Sequence, residues 1–137
     1  MSVTIKSKSD LLKLREAGRI AARALEHAGK VMHPGMTTKQ LDRSIHEFIV
    51  SCGAVPTFLG YGGFPASACI SINEEVIHGI PSNRRVIREG DIVSVDVGAT
   101  FDGFVGDTAY TFAVGDISEE KADLLKVTQD SLYAAIA

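Results

Sequence analysis

The sequence predicts an α+β fold with a curved, mostly antiparallel sheet and helices packed on one side of it. Apolar residues recur at helical spacing over the first 52 residues, and strand-like segments then follow one another directly between residues 68 and 112. A further helical segment begins after residue 117. Strands that are consecutive in sequence, without helices between them, typically pair as antiparallel neighbours.

Composition is that of an ordinary globular domain: 137 residues, 45% hydrophobic and 23% charged. A net charge of −3 provides no basic surface for nucleic acid or for anionic membranes. No apolar run reaches membrane-spanning length, and residues 1–10 are too polar for a signal peptide. Cys52 and Cys69 suggest neither a disulfide framework nor a zinc site, which favours a cytoplasmic protein with reduced thiols.

Two amphipathic helices are predicted in the first third of the chain. Ser7 or Ser9 caps the first, which runs to about Val31, and a capping box at residues 37–40 starts the second, which Gly53 ends. The buried stripe of the first helix is predicted to contain Leu11, Leu14, Gly18, Ala21, Leu25 and Ala28. That of the second helix is predicted to contain Leu41, Ile45, Phe48, Ile49 and Cys52. The three histidines of this region are interpreted as surface or turn residues: His27, His33 and His46.

Residues 53–67 change character, with three aromatic residues, four glycines and two prolines, so they predict no regular element. A loop with apolar rings usually packs on its own domain and less often forms the wall of an apolar pocket. Residues 68–72 form a short predicted strand, and Asn73 and Glu74 turn the chain.

The segment at residues 92–112 is predicted to be a β-hairpin, because two strand-like runs flank turn residues 100–103. Asp96 and Asp107 are an odd number of residues apart, so a tight even-residue loop without a bulge places both on one face. Carboxylates that face each other repel unless a cation, such as a metal ion, lies between them. Taken alone, the hairpin favours the simpler interpretation, in which these residues are the solvated side of a half-exposed sheet.

A last helix is predicted from its cap at Ser118, with an apolar stripe of Ala122, Leu125, Leu132 and Ile136. The helical pattern continues to Ala137 without a stop signal, which predicts that the helix is cut and that the chain is a piece of a longer protein.

Five segments together resemble the type I methionine aminopeptidases. They are PGMTT at 34–38, LGYGGFP at 59–65, NEEVIHGIP at 73–81, GDIVSVDVG at 90–98 and GFVGDT at 103–108. The resemblance covers this whole chain but only the N-terminal half of the family's catalytic domain. It implies half of a "pita-bread" fold, and removal of the N-terminal methionine from new polypeptides with two divalent ions of Co, Mn, Fe or Zn.

The same resemblance implies roles for individual residues. Asp96 corresponds to an aspartate that chelates one metal, Asp107 to the aspartate that bridges both, and His78 to the histidine that contacts the substrate. The pocket for the methionine side chain is implied to contain Phe58, Tyr61, Phe64 and Cys69, although other members often carry cysteine at position 58. Asn73 resembles a residue at a monovalent-cation site.

The remaining metal ligands of the family, one histidine and two glutamates, belong to the second half and have no counterpart here. The chain alone is therefore expected to be inactive and to bind metal weakly. The surface that the missing half would cover is expected to favour a two-fold homodimer. The alternative function is a non-catalytic peptide- or protein-binding module with the same fold, against which the two retained aspartates argue.

Overall fold

The computed structural model describes residues 4–137. Its elements are α1 (Lys8–Val31), α2 (Thr38–Ser51), β1 (Val55–Pro56), β2 (Ala68–Ile72), β3 (Ile92–Phe101), β4 (Phe104–Ala113) and α3 (Glu119–Ile136). A single 3₁₀ turn, Tyr61–Gly63, lies between β1 and β2. No helix within the described range is long and apolar enough to cross a membrane.

Both early helices begin where their caps are predicted, and both have capping boxes. Ser7, rather than Ser9, caps α1 and exchanges hydrogen bonds with Asp10, while Thr37 and Gln40 do the same for α2. Leu11 is predicted to be buried, and this prediction is wrong because Leu11 is 54% exposed. Lys13 pairs with Asp102 at the tip of the hairpin, so the turn of α1 that precedes Lys13 extends past the sheet.

The sheet is antiparallel and centred on β3, which pairs with β4 along one edge and with β1 and β2 along the other. A two-residue loop, Asp102 and Gly103, joins β3 to β4 with both residues at positive φ, the conformation of the tight hairpin turn. The prediction of no regular element at 53–67 is wrong at β1, because that segment pairs with the part of the β3 edge beyond β2.

One face of the sheet carries the hydrophobic core. Side chains of Ile70, Val93, Val95 and Val97 on that face pack with the buried faces of α1 and α2. Helices α1 and α2 therefore cover one side of the sheet, as predicted, and leave the opposite, polar face of β2, β3 and β4 outside the core.

The third helix has no buried residues. The helix and its apolar stripe are present as predicted, but the stripe is not buried: Leu132 is 58% and Ile136 is 70% exposed. An amphipathic pattern identifies an apolar face, but that face is buried only where another surface covers it. Within residues 4–137 no such surface covers the stripe of α3, which instead borders a cavity over the polar face of the sheet.

Candidate metal and substrate site

The polar face of the sheet forms the floor of a cavity of about 720 Å³. Its walls come from the segment around His78 and from one side of α3. The floor is made by the side chains that point away from the core, namely Cys69, Ser71, Ser94, Asp96, Ala109 and Thr111. A cavity of this size is typical of a site for a small ligand or a side chain.

Asp96 and Asp107 lie on the same face of the hairpin, as their spacing predicts. Asp96 is opposite Ala109, and Asp107 is opposite Gly98, so the two aspartates are diagonal neighbours across the β3–β4 pair. One carboxylate oxygen of Asp96, Oδ1, is buried and accepts no hydrogen bond from any residue in the described range. Burial raises the pKa of the Asp96 carboxyl, and the charge of Asp107 adds to the rise, which the nearby His78 opposes.

This arrangement fits part of a metal site. A buried carboxylate oxygen without a partner, next to a second carboxylate, is stabilised when a cation lies between the two. Among residues 4–137, however, no group of three His, Cys, Asp or Glu side chains is placed to hold a metal ion. The described residues therefore supply two carboxylates and not a complete coordination sphere.

His78 lines the same cavity as Asp96 and Cys69. Its backbone has φ +60°, an unusual value for a residue with a side chain, and the residue is exposed. The following residue, Gly79, is buried and hydrogen-bonded to β2. The imidazole is thereby presented at the cavity, near Asp96.

Cys69 is directly opposite Asp96 in the β2–β3 pair. Burial raises the pKa of its thiol to about 11, and the negative charges of Asp96 and Asp107 add to the effect. The thiol is therefore protonated at neutral pH, so the cavity wall at Cys69 is neutral, polarizable and weakly polar.

The three aromatic residues predicted for the pocket lie outside the lining of the 720 Å³ cavity. Phe58 is nevertheless adjacent to the aspartates: a Cβ atom at Gly98 would lie 2.7 Å from its ring, and Gly98 is opposite Asp107. Tyr61 is 80% exposed and Phe64 is half-buried. The roles of these rings in substrate binding stay predictions.

Asn73 belongs to a hydrogen-bond network at the base of the hairpin. Its Nδ2 donates to Asp91 Oδ1 over 2.7 Å, and its Oδ1 accepts from the Ile92 amide and from Lys121 Nζ. Lys121 also donates to the Gly90 carbonyl, so an ammonium group already neighbours the Asn73 side-chain oxygen. Sequence reasoning missed this network, which ties the first turn of α3 to the sheet, and the monovalent-cation role of Asn73 stays a prediction.

Two histidines that were assigned to the surface are half-buried instead. His27 stacks on Phe48, with ring centroids 4.8 Å apart, and shares a hydrogen bond with Ser44. His46 Nδ1 lies 2.8 Å from Ser67 Oγ. Both contacts join elements that are distant in sequence, which helical periodicity does not reveal. His33 is exposed in the turn, as predicted.

The antiparallel sheet brings Asp96 and His78 to one cavity and places Asp107 beside Asp96, an arrangement that fits the metal-dependent hydrolases. The chain belongs to metallopeptidase family M24, whose sequence profile matches residues 12–137.

Known relatives agree with this assignment. The chain is 52% identical over 134 residues to the methionine aminopeptidase of Clostridium acetobutylicum and 46% identical over 134 residues to methionine aminopeptidase 1 of Bacillus subtilis. Each alignment covers 98% of this chain and 54% of the relative. A crystal structure of methionine aminopeptidase from Thermotoga maritima superimposes with a TM-score of 0.94 at 41% identity, covering 98% of this chain and 54% of that one. The chain thus spans about half the length of these relatives, and its fold is half of the pita-bread fold.

Proposed function

We propose that residues 1–137 are the N-terminal half of a metalloaminopeptidase that removes the initiator methionine from newly made proteins in the cytoplasm. The observation that carries the proposal is the buried, unpartnered oxygen of Asp96 beside Asp107, at a cavity that His78 also lines. Similarity to relatives named methionine aminopeptidase supports the choice of substrate. Those names do not favour the alternative, a non-catalytic binding module.

Asp96 and Asp107 would hold two divalent ions, for which Mn, Fe, Co and Zn are the candidates. When bound, such ions lower the pKa of a water molecule and polarise the scissile carbonyl group. His78 donates or accepts a hydrogen bond near the scissile amide and so orients the substrate. The neutral thiol of Cys69 and the Phe58 ring suit an unbranched thioether side chain, since sulfur and aromatic groups make favourable contacts.

The full-length protein is expected to prefer methionine strongly at the first position of its substrates. Burial of a lysine ammonium group against a neutral wall is costly, and the extra branch of valine at Cβ crowds the reacting atoms. With Co or Mn added, kcat/KM for Met-Ala-Ser should exceed that for Lys-Ala-Ser and Val-Ala-Ser by about 100-fold or more. Norleucine, which keeps the length but lacks the sulfur, serves as the matched substrate control. Comparable turnover of the lysine or valine peptide would reject the pocket assignment.

The 137-residue chain by itself is expected to form a two-fold homodimer without aminopeptidase activity. The outer edge of β4 pairs with no strand in the described range, and α3 exposes apolar side chains: Leu124, Val127, Leu132, Tyr133 and Ile136. Open edges and apolar patches promote association. The dimer would bring together four carboxylates without a histidine ligand, so metal binding should be weak.

Sedimentation velocity and titration calorimetry with Mn or Co test this expectation. A stable monomer that binds two ions tightly and cleaves methionyl peptides would contradict it.

A further inference from the structure

The segment that carries His78 is hydrogen-bonded to the middle of β2 at Gly79. The Gly79 carbonyl accepts a hydrogen bond from the Ile70 amide over 2.9 Å, and the Gly79 amide donates to Ser71 Oγ over 3.0 Å. A side chain at position 79 would collide with the Ile70 carbonyl, so the segment lies directly on β2. One of the two hydrogen bonds that fix Gly79 thus depends on a side-chain hydroxyl.

Among residues 4–137, the Ser71 hydroxyl has no hydrogen-bond partner other than Gly79. Its side chain belongs to the polar face, where β2 meets Ser94 of β3, and the residue is 3% exposed. Ser94 directs its own hydroxyl to Thr111, over 2.8 Å. The Ser71 oxygen is therefore left to accept from Gly79, and a buried hydroxyl in this position is costly unless it is bonded in this way.

The rest of the segment is fastened independently. Glu75 accepts a hydrogen bond from the Ile72 amide, and the Ser82 amide donates to Thr38 Oγ1 on α2, so the segment is fastened on both sides of His78. Loss of the Ser71 hydroxyl would therefore release the His78–Gly79 peptide without unfolding the segment. At φ +60° the backbone of His78 is strained, and a released peptide would relax towards negative φ and swing the imidazole away.

We propose that Ser71 is a positioning residue for the aminopeptidase reaction, because its hydroxyl holds the Gly79 amide and thereby fixes the imidazole of His78 at the cavity that Asp96 also lines. The proposal rests on the function of His78 proposed above. Ser71 is proposed to act through Gly79 and His78, and not by direct contact with the reacting atoms.

The test compares variants of the full-length, metal-loaded protein. Ser71→Ala should lower kcat/KM for Met-Ala-Ser about tenfold, the effect of one lost hydrogen bond. Ser71→Thr, which keeps the hydroxyl and adds a methyl group, should restore most of the activity.

The double variant Ser71→Ala/His78→Ala should be no slower than His78→Ala alone, because both changes remove the same interaction. Ser44→Ala, which removes a half-buried hydroxyl bonded to His27, is the control and should leave the rate unchanged.

Amide hydrogen exchange at Gly79, followed by NMR, gives a readout that is independent of activity. It should be at least about tenfold faster in Ser71→Ala than in wild type or Ser71→Thr. Should Ser71→Ala fold poorly, Ser71→Cys takes its place, since a thiol is a much weaker acceptor.

The role of Ser71 would be overturned if Ser71→Ala left the amide exchange rate of Gly79 unchanged. It would also be overturned if the loss of kcat/KM in the double variant were the product of the losses in the two single variants. If His78→Ala were instead fully active, the proposed function of His78 would be wrong. The Gly79 exchange rate would then still decide whether Ser71 holds the segment.

Discussion

Aminopeptidase activity of the full-length protein should fall by about a thousandfold or more when Asp107 is replaced by asparagine. The substitution preserves shape but removes the negative charge that, next to the buried Asp96 carboxylate, makes the site attractive to cations. Asp107 is exposed, so the loss should not reflect unfolding. Turnover of Met-Ala-Ser and the metal content of the purified protein, measured by mass spectrometry, should fall together.

Asp102→Asn is the matched control for this experiment. Asp102 lies in the same hairpin, pairs with Lys13 on the surface and has φ +49°, a conformation that asparagine accepts readily. This variant should keep the activity and metal content of the wild type. Near-normal turnover with two bound ions in Asp107→Asn would show that the charge of Asp107 is dispensable and would remove the basis of the proposed metal site.

The largest effect on stability is expected at Gly106, where β4 crosses α1. Gly106 is buried, and a Cβ atom there would collide with the Ala17 carbonyl in the backbone of α1. Because backbone atoms of a helix cannot move aside as a side chain does, Gly106→Ala should lower the free energy of unfolding by about 2–3 kcal/mol. Urea denaturation of the full-length protein, with its midpoint and slope compared with those of the wild type, measures the loss.

The control lies on the other side of the same crossing. Gly18 is inside α1, and a Cβ atom there would meet nothing within 4 Å. Gly18→Ala should therefore stabilise the protein by about 0.5–1 kcal/mol, since alanine favours the helix over the unfolded chain. Equal effects of the two substitutions would indicate that the close approach at Gly106 is not a constraint on the fold.

Local sequence was sufficient for features that depend on neighbouring residues. Ser7 as one of two candidate caps, the capping box at Thr37 and the strand at 68–72 were predicted correctly. Alternation along the hairpin also placed Asp96 and Asp107 on one face. These features follow from backbone geometry with a period of 2 or 3.6 residues, or from hydrogen bonds between residues three positions apart.

The tertiary structure alone decided which surfaces meet. Leu11 is exposed because α1 extends past the hairpin, and the stripe of α3 stays uncovered within the described residues. The contacts between Ser71 and Gly79, and between Phe58 and Gly98, likewise bring together groups that no periodic pattern relates. Periodicity defines the direction in which a side chain points from its own element, whereas burial and hydrogen bonding depend on what the rest of the chain places opposite it.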